Sequence, residues 1–431
     1  MKLLIAVLFA ALFTLYDPIS LLASPNEGTL SLASALQRSL ARNPALKVYD
    51  FRDTALNGQM EIANLKPGLE LGLEAENFSG TDELSGFREA EITILLSSIL
   101  EMGDKRAARR GLVTGRRTAL DAQRQVDSLE LLGEVTRRYV DILTAQAQVS
   151  LAKEAKDLAD ETLNIVKKRA EAGATPEAEV KRALASAAQT QLTLLSTQQQ
   201  LDYLKVSLAA LWGDASPNFA SVEGDLYHFG TDVEFKALFA KIANNPAIQI
   251  FAAEERLRDA AVRVAKTQSK ADISWSVGVR RFQSNDDAAL VAGFSMPLFS
   301  SRRNTGVIST ALAQRKEINV QKEVALLGMH TELFRAFHNR KQAILAAKKL
   351  QSTIIPALSE ALKETQIAYQ SGRYGYLEYV SARQELLNAR RTLIVSASSA
   401  LTYAAEIEQL TAEPLSATQH KDSTKFSGSV R

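Results

Sequence analysis

Four stretches of the chain alternate apolar and polar side chains with a period of two. Leu69, Leu71, Leu73 and Ala75 alternate with Glu70, Gly72, Glu74 and Glu76. Ala90, Ile92, Ile94 and Leu96 alternate with Glu91, Thr93, Leu95 and Ser97. Later, Ile273, Trp275, Val277 and Val279 alternate with Ser274, Ser276, Gly278 and Arg280, and Leu290, Ala292, Phe294 and Met296 with Val291, Gly293 and Ser295. This pattern predicts half-buried strands, over about 69–78, 88–98, 272–282 and 288–298. Each run is about ten residues, the length a tilted strand needs to cross a bilayer. The polar face carries Glu70, Glu74, Glu76, Glu91 and Arg280, which suits water rather than a packed core. Phe78, Phe87 and Phe282 flank the loops, where an aromatic girdle would lie. Two ordinary soluble hairpins would show the same alternation, so the rest of the chain must decide.

Between the strand pairs the period changes to that of helices. Leu132, Val135, Tyr139, Ile142 and Val149 step by three, four, three and seven; Leu201, Leu204, Leu208 and Leu211 step by three, four and three. These are coiled-coil spacings. The segment from Leu129 to Ala172 contains Gly133 but no other Gly or Pro, and its 44 residues reach roughly 66 Å as a helix. Gly173-Ala174-Thr175-Pro176 and Gly372-Arg373-Tyr374-Gly375 read as turns between paired helices, with Gly closing one helix and Pro opening the next.

The chain also repeats itself. Ala35-Leu36 through Asn43-Pro44-Ala45-Leu46 resembles Ala237-Leu238 through Asn245-Pro246-Ala247-Ile248 at an offset of 202 residues, and Gly173 pairs with Gly372 and Leu211 with Leu410 at 199. Ordered matches at nearly one offset predict a tandem duplication. Each half is a helix, two strands and a long helical hairpin: residues 25–211, then 232–411, with 212–231 as linker. Asn-Pro predicts a break or kink in the first helix of each half, about Ser31 to Leu65 and Val233 to Gln268.

Export signals bear on the choice between soluble and membrane strands. Lys2 followed by the apolar run Leu3 to Leu15, with small residues at Ala23 and Ser24, predicts a signal peptide over 1–24. Beyond it no run reaches 18 apolar residues, so no transmembrane helix is expected and any crossing must use a closed barrel. Four strands cannot close one, since single-chain barrels start at about eight; three copies would supply twelve. Residues 412–431 are polar and expected to be a disordered tail.

Composition narrows the chemistry. Lys+Arg 51 against Asp+Glu 49 leaves a formal charge of +2, without the basic surplus expected of a nucleic-acid binder. Cys 0 excludes disulfides, thiolate metal sites and cysteine nucleophiles, and the four His are scattered. No catalytic constellation, cofactor site or metal site is expected.

These features together resemble the TolC-like outer-membrane efflux proteins. The likeness rests on the duplicated A-L-x(6)-N-P segments, the paired strands, and the strand exits Leu100-Glu101-Met102-Gly103-Asp104-Lys105-Arg106 and Met296-Pro297-Leu298-Phe299. It rests also on Gly372 followed by Leu377-Glu378-Tyr379-Val380-Ser381-Ala382-Arg383. The first strand exit is similar to the heavy-metal-efflux branch, with Asp104 where a second Gly is usual. The resemblance implies a mainly α chain with a small β part. Its long hairpins would form a periplasmic α-barrel, and its four strands would join a trimeric 12-stranded barrel in the outer membrane. It implies a passive homotrimeric duct that meets a periplasmic adaptor protein and, through it, an inner-membrane pump. It also implies acidic rings at the tunnel tip: Glu378 matches one, Ser381 stands where a second is usual, and Glu179 is the first-half equivalent of Glu378. Tyr369 matches the family's tip tyrosine, and Tyr374 stands in place of its usual Arg partner. The competing expectation is a soluble periplasmic coiled-coil scaffold or adaptor-like protein.

Overall fold

A computed structural model describes residues 28–230, 233–298, 302 and 304–413. The expected signal peptide, Phe299 of the second strand exit, and the tail from 414 lie outside the described residues. The chain opens with β1 (Thr29–Leu30), α1 (Leu32–Arg42) and α2 (Pro44–Asn64), then β2 (Glu70–Glu76) and β3 (Glu91–Leu100). A helical hairpin follows, α3 (Lys105–Glu171) and α4 (Glu177–Ala209), and then β4 (Ser221–Val222). The second half repeats this order with α5 (Phe235–Lys241), α6 (Pro246–Gln268), β5 (Ile273–Phe282) and β6 (Ala288–Ser295). It ends with α7 (Thr305–Lys349), α8 (Ile355–Gln370) and α9 (Tyr376–Thr411).

The Asn-Pro pairs show what the duplication preserves. Asn43 Oδ1 accepts from the Ala45 and Leu46 amides at 2.8 and 3.2 Å, capping α2, while its Nδ2 donates to the Leu211 carbonyl at 2.7 Å. Asn245 Oδ1 accepts from the Ala247 amide at 2.8 Å, capping α6, and its Nδ2 donates to the Gln409 and Leu410 carbonyls at 2.8 and 3.0 Å. One side chain therefore starts a helix and holds the end of the same half's hairpin, with Pro at the first helical position where its missing amide costs nothing.

Two apolar clusters surround these anchors. Leu30, Val135, Tyr139, Ile142, Leu208 and Trp212 fill the first; Leu238, Ile242, Leu333, Ala336, Ile407 and Leu410 fill the second. β1 and β4 pair in parallel within the first, so the 212–231 linker is partly ordered.

α3 is longer than the expected Leu129 start. Its 67 residues run unbroken from Lys105, about 100 Å of helix. Gly115 lies inside it because a Cβ there would stand 3.1 Å from Leu257 Cα of α6, so the small residue permits close helix approach. The second hairpin is interrupted: a π turn over Leu350–Ile354 separates α7 from α8. Pro356 follows at once. A proline ring clashes with the carbonyl four residues back, and a widened turn is one way for a helix to absorb it. The tail boundary also shifts: Ala412 closes α9 in the left-handed conformation and Glu413 pairs with Lys241, so both belong to the folded part.

Candidate functional site

The four long strands form one antiparallel sheet in the order β2-β3-β5-β6. Directly opposed residues share a face. The register places Glu74 opposite Thr93 and Thr93 opposite Arg280, with Glu76 opposite Glu91 and Glu70 opposite Ser97. All five polar candidates thus lie on one face. Arg280 donates to Glu91 at 2.9 Å and to the Thr93 hydroxyl at 2.9 Å, and its other nitrogen lies 3.0 Å from Glu76. One guanidinium therefore satisfies two of the four carboxylates. Glu70 and Glu74 remain exposed on the outer strand.

The opposite face is apolar and uncovered. Leu71, Leu73, Leu290 and Phe294 are 79, 73, 88 and 87% exposed, and Ile92, Ile94, Val277 and Val279 are about half exposed. A continuous apolar face of this size in water is an aggregation hazard, and so are two open sheet edges. In a bilayer the face is matched, but the open edges of β2 and β6 would leave backbone groups unsatisfied. Both conditions are met if the edges pair with those of other copies. Among the described residues no helix is long and apolar enough to cross a membrane.

At the far end of the hairpins the two turns meet. Gly173 and Gly372 adopt φ of 68° and 76°, the left-handed conformation that closes a helix without cost only for Gly. Arg169, in the last turn of α3, lies over the Tyr369 ring with its guanidinium carbon 4.6 Å from the centroid. It also donates to the Tyr369, Gln370 and Ala174 carbonyls at 2.5, 3.1 and 3.4 Å. Arg169 therefore clasps the second turn to the first by stacking and by charge-assisted hydrogen bonds. Tyr374, where the family's arginine would stand, is exposed and takes no part in this contact.

The two equivalent acids differ. Glu179 accepts a hydrogen bond from Thr175 and sits 3.5 Å from the Tyr369 hydroxyl. Burial pushes the Tyr369 phenol up, with the Glu179 charge adding to it. Glu378, in the first turn of α9, is exposed. It makes no hydrogen bond or ion pair among the described residues, and its carboxylate lies close over Gly375.

Beneath the turns Arg383 is buried without a carboxylate partner. It donates to the Thr162 and Ser186 hydroxyls at 2.8 and 3.1 Å and packs beside Tyr379 and Tyr376. Burial lowers its affinity for the proton. Neither the Arg169 clasp nor the burial of Arg383 is visible in the sequence, because their partners lie about 200 residues away. A basic residue in the last turn of a helix is the only local hint at Arg169. No metal-binding group of His, Cys, Asp or Glu occurs among the described residues.

The model of the outer membrane efflux protein family matches residues 35–214. The cobalt-zinc-cadmium resistance protein CzcC of Cupriavidus metallidurans is 25% identical over 365 residues, covering 84% of this chain and 85% of that protein. Among solved structures, the outer membrane protein VceC from Vibrio cholerae superposes with a TM-score of 0.69 at 20% identity, covering 89% of this chain and 96% of that one. The Campylobacter jejuni CmeC outer membrane channel gives a TM-score of 0.71 at 15% identity, over 90% of this chain and 87% of that one.

Proposed function

We propose that the chain, whose first half matches the outer membrane efflux protein family and which resembles CzcC over most of its length, is a member of that family and the outer-membrane duct of a tripartite efflux system. Three copies close their sheets edge to edge into one twelve-stranded barrel, with β2 of one copy beside β6 of the next. The hairpins continue it as a tunnel through the periplasm. A periplasmic adaptor docks at the tip turns and links the duct to an inner-membrane pump. Transport through it is passive: the residues that matter shape and charge a water-filled path, and no bond is made or broken.

The observation that carries this reading is the inside-out sheet. Its apolar face is exposed while its carboxylate face is internally hydrogen-bonded around Arg280. A soluble scaffold would bury the first and solvate the second. Glu70, Glu74, Glu76, Glu91 and Arg280 then line the path, and three copies of Glu378 stand near its closed end, where like charges repel each other and attract cations. Gly173, Glu179, Tyr369, Gly372 and Tyr374 belong to the tip that the adaptor contacts.

The likeness to CzcC supports divalent transition-metal cations as cargo, and the unpaired carboxylates on the path suit a cation. The test is ion conduction by the purified protein in planar bilayers. Pores are expected, and Glu378→Ala should lower cation selectivity while leaving assembly intact. Absence of pores from folded, membrane-extracted protein with the cognate adaptor present would overturn the reading. Loss of the gene should sensitise cells to cobalt, zinc or cadmium; unchanged metal tolerance alongside sensitivity to organic compounds would overturn the metal assignment alone.

A further inference from the structure

The junction between sheet and helices carries a second chemistry. Residues 101–110 read Glu-Met-Gly-Asp-Lys-Arg-Ala-Ala-Arg-Arg, and their charges sort by direction. Glu101 continues the polar parity of β3, and Asp272 precedes β5 on its polar parity. Lys105 Nζ lies 2.6 Å from Asp272, and Arg109 grips Glu101, one contact being 2.9 Å. These two cations therefore turn toward the carboxylate side.

Arg106 and Arg110 lie about 100° and 140° around the helix from Lys105, whereas Arg109 lies about 40° away. Arg106 therefore lies on the flank of α3 and Arg110 toward its far side, close to where the apolar face of the sheet ends in exposed Leu100 and Met102. Both are exposed, and neither makes an ion pair among the described residues. Two more exposed lysines stand at the neighbouring junctions. Lys66 follows Leu65, whose carbonyl accepts from Arg109 at 3.2 Å. Lys270 lays its side chain across Gly103, which has a φ of 81° and no room for a Cβ.

The distal ends of the same strands are opposite in sign. Their loops hold Asp82, Glu83, Glu89, Asp286 and Asp287 against Arg88 and against Arg281 at the end of β5, which pairs with Asp286. The sheet is thus basic at the helical end and acidic at the other, with its apolar face between.

We propose that Arg106, Arg110, Lys66 and Lys270 form a belt that binds anionic phospholipid headgroups of the periplasmic leaflet and fixes the depth of the barrel. Guanidinium groups pair with phosphate in two-pronged fashion. A basic residue just outside the apolar band meets such headgroups at the membrane surface. Three copies would repeat the belt around the whole barrel. The inference rests on the membrane reading of the sheet.

The chain supplies its own probe. Trp275 lies on the apolar parity of β5 near this end, opposite Ser98, whereas Trp212, the other tryptophan, is buried in the helical core. The experiment is quenching of Trp275 fluorescence in the reconstituted full chain by brominated phosphatidylglycerol against brominated phosphatidylcholine. We expect phosphatidylglycerol to bind with roughly fivefold or greater preference. The preference should shrink as salt is raised in the wild-type chain, and it should vanish in the Lys66→Gln, Arg106→Gln, Arg110→Gln, Lys270→Gln variant. Equal quenching by both lipids in the wild type would overturn the belt and leave the membrane reading intact. The same holds for a preference that survives salt or the four substitutions. No quenching by either lipid would instead remove the sheet from the bilayer, and with it the premise.

Discussion

The sheet and the helical hairpins solve opposite problems with the same residue types. In the hairpins leucine is hidden: Leu208 and Leu333 are fully buried between helices. In the sheet Leu71 and Leu290 are almost as open as in a free chain. Arginine follows the same division. Arg383 is enclosed among hydroxyls and rings in the hairpins, whereas Arg280 spreads across a polar face to neutralise two carboxylates. The hairpins are built for water outside and protein inside. The sheet is built for a surrounding with no hydrogen bonds on one side and water on the other.

The largest expected effect comes from charging the apolar side of the sheet. Val277→Arg, in the middle of β5 on the apolar face, should cost about 2–4 kcal/mol per copy near the bilayer midplane, and three copies should lose membrane insertion altogether. The amount of heat-resistant assembled protein in outer-membrane fractions measures this. Leu192→Arg, at an exposed position on α4, should insert normally; if both insert equally, the distinction between the regions fails. Next is Arg383→Ala, which removes the guanidinium's hydrogen bonds to Thr162 and Ser186 and its packing beside Tyr376 and Tyr379 beneath the tip, and should destabilise by roughly 1–3 kcal/mol. Limited proteolysis at the tip turns reports it.

Arg280→Gln should act on conduction more than on folding. It frees the charges of Glu76 and Glu91 on the proposed path, so the reversal potential in a salt gradient should move toward stronger cation selectivity. An unchanged potential would separate that face from the conducting path. The smallest effect is at Asp141, which stands on the exposed side of α3. Partial desolvation raises its carboxyl above its ordinary range, with the Glu134 charge adding to it. Such a group binds its proton more tightly folded than unfolded, so its cost appears as pH rises above the ordinary carboxylate range and is absent below it. Asp141→Asn should therefore raise the denaturation midpoint slightly at neutral pH and leave it unchanged in strong acid.

The sheet was legible because period-two alternation survives whatever solvent faces it. What alternation alone could not show was whether the chain itself covers the apolar face; its exposure in the folded chain shows that it does not. The tip turns were legible from Gly173 and Gly372, whose backbone conformation demands glycine. The first half of α3 was less so, since Gly111 and Gly115 weaken the helical pattern, and the reason for Gly115 is Leu257 of α6, 142 residues further along the chain. β1 and β4 are two residues each, too short for any period. Glu179 and Glu378 look equivalent in sequence. They differ in the fold because Thr175, four residues before the first, donates to it, while Tyr374, four residues before the second, is exposed and makes no such bond.

The central claim is that three chains complete one barrel. The most direct test is the native mass of the protein extracted from the outer membrane in mild detergent. The account predicts a species of three chains that stays insoluble without detergent. A monomer stable in plain buffer, with its sheet exposed to water, would contradict it.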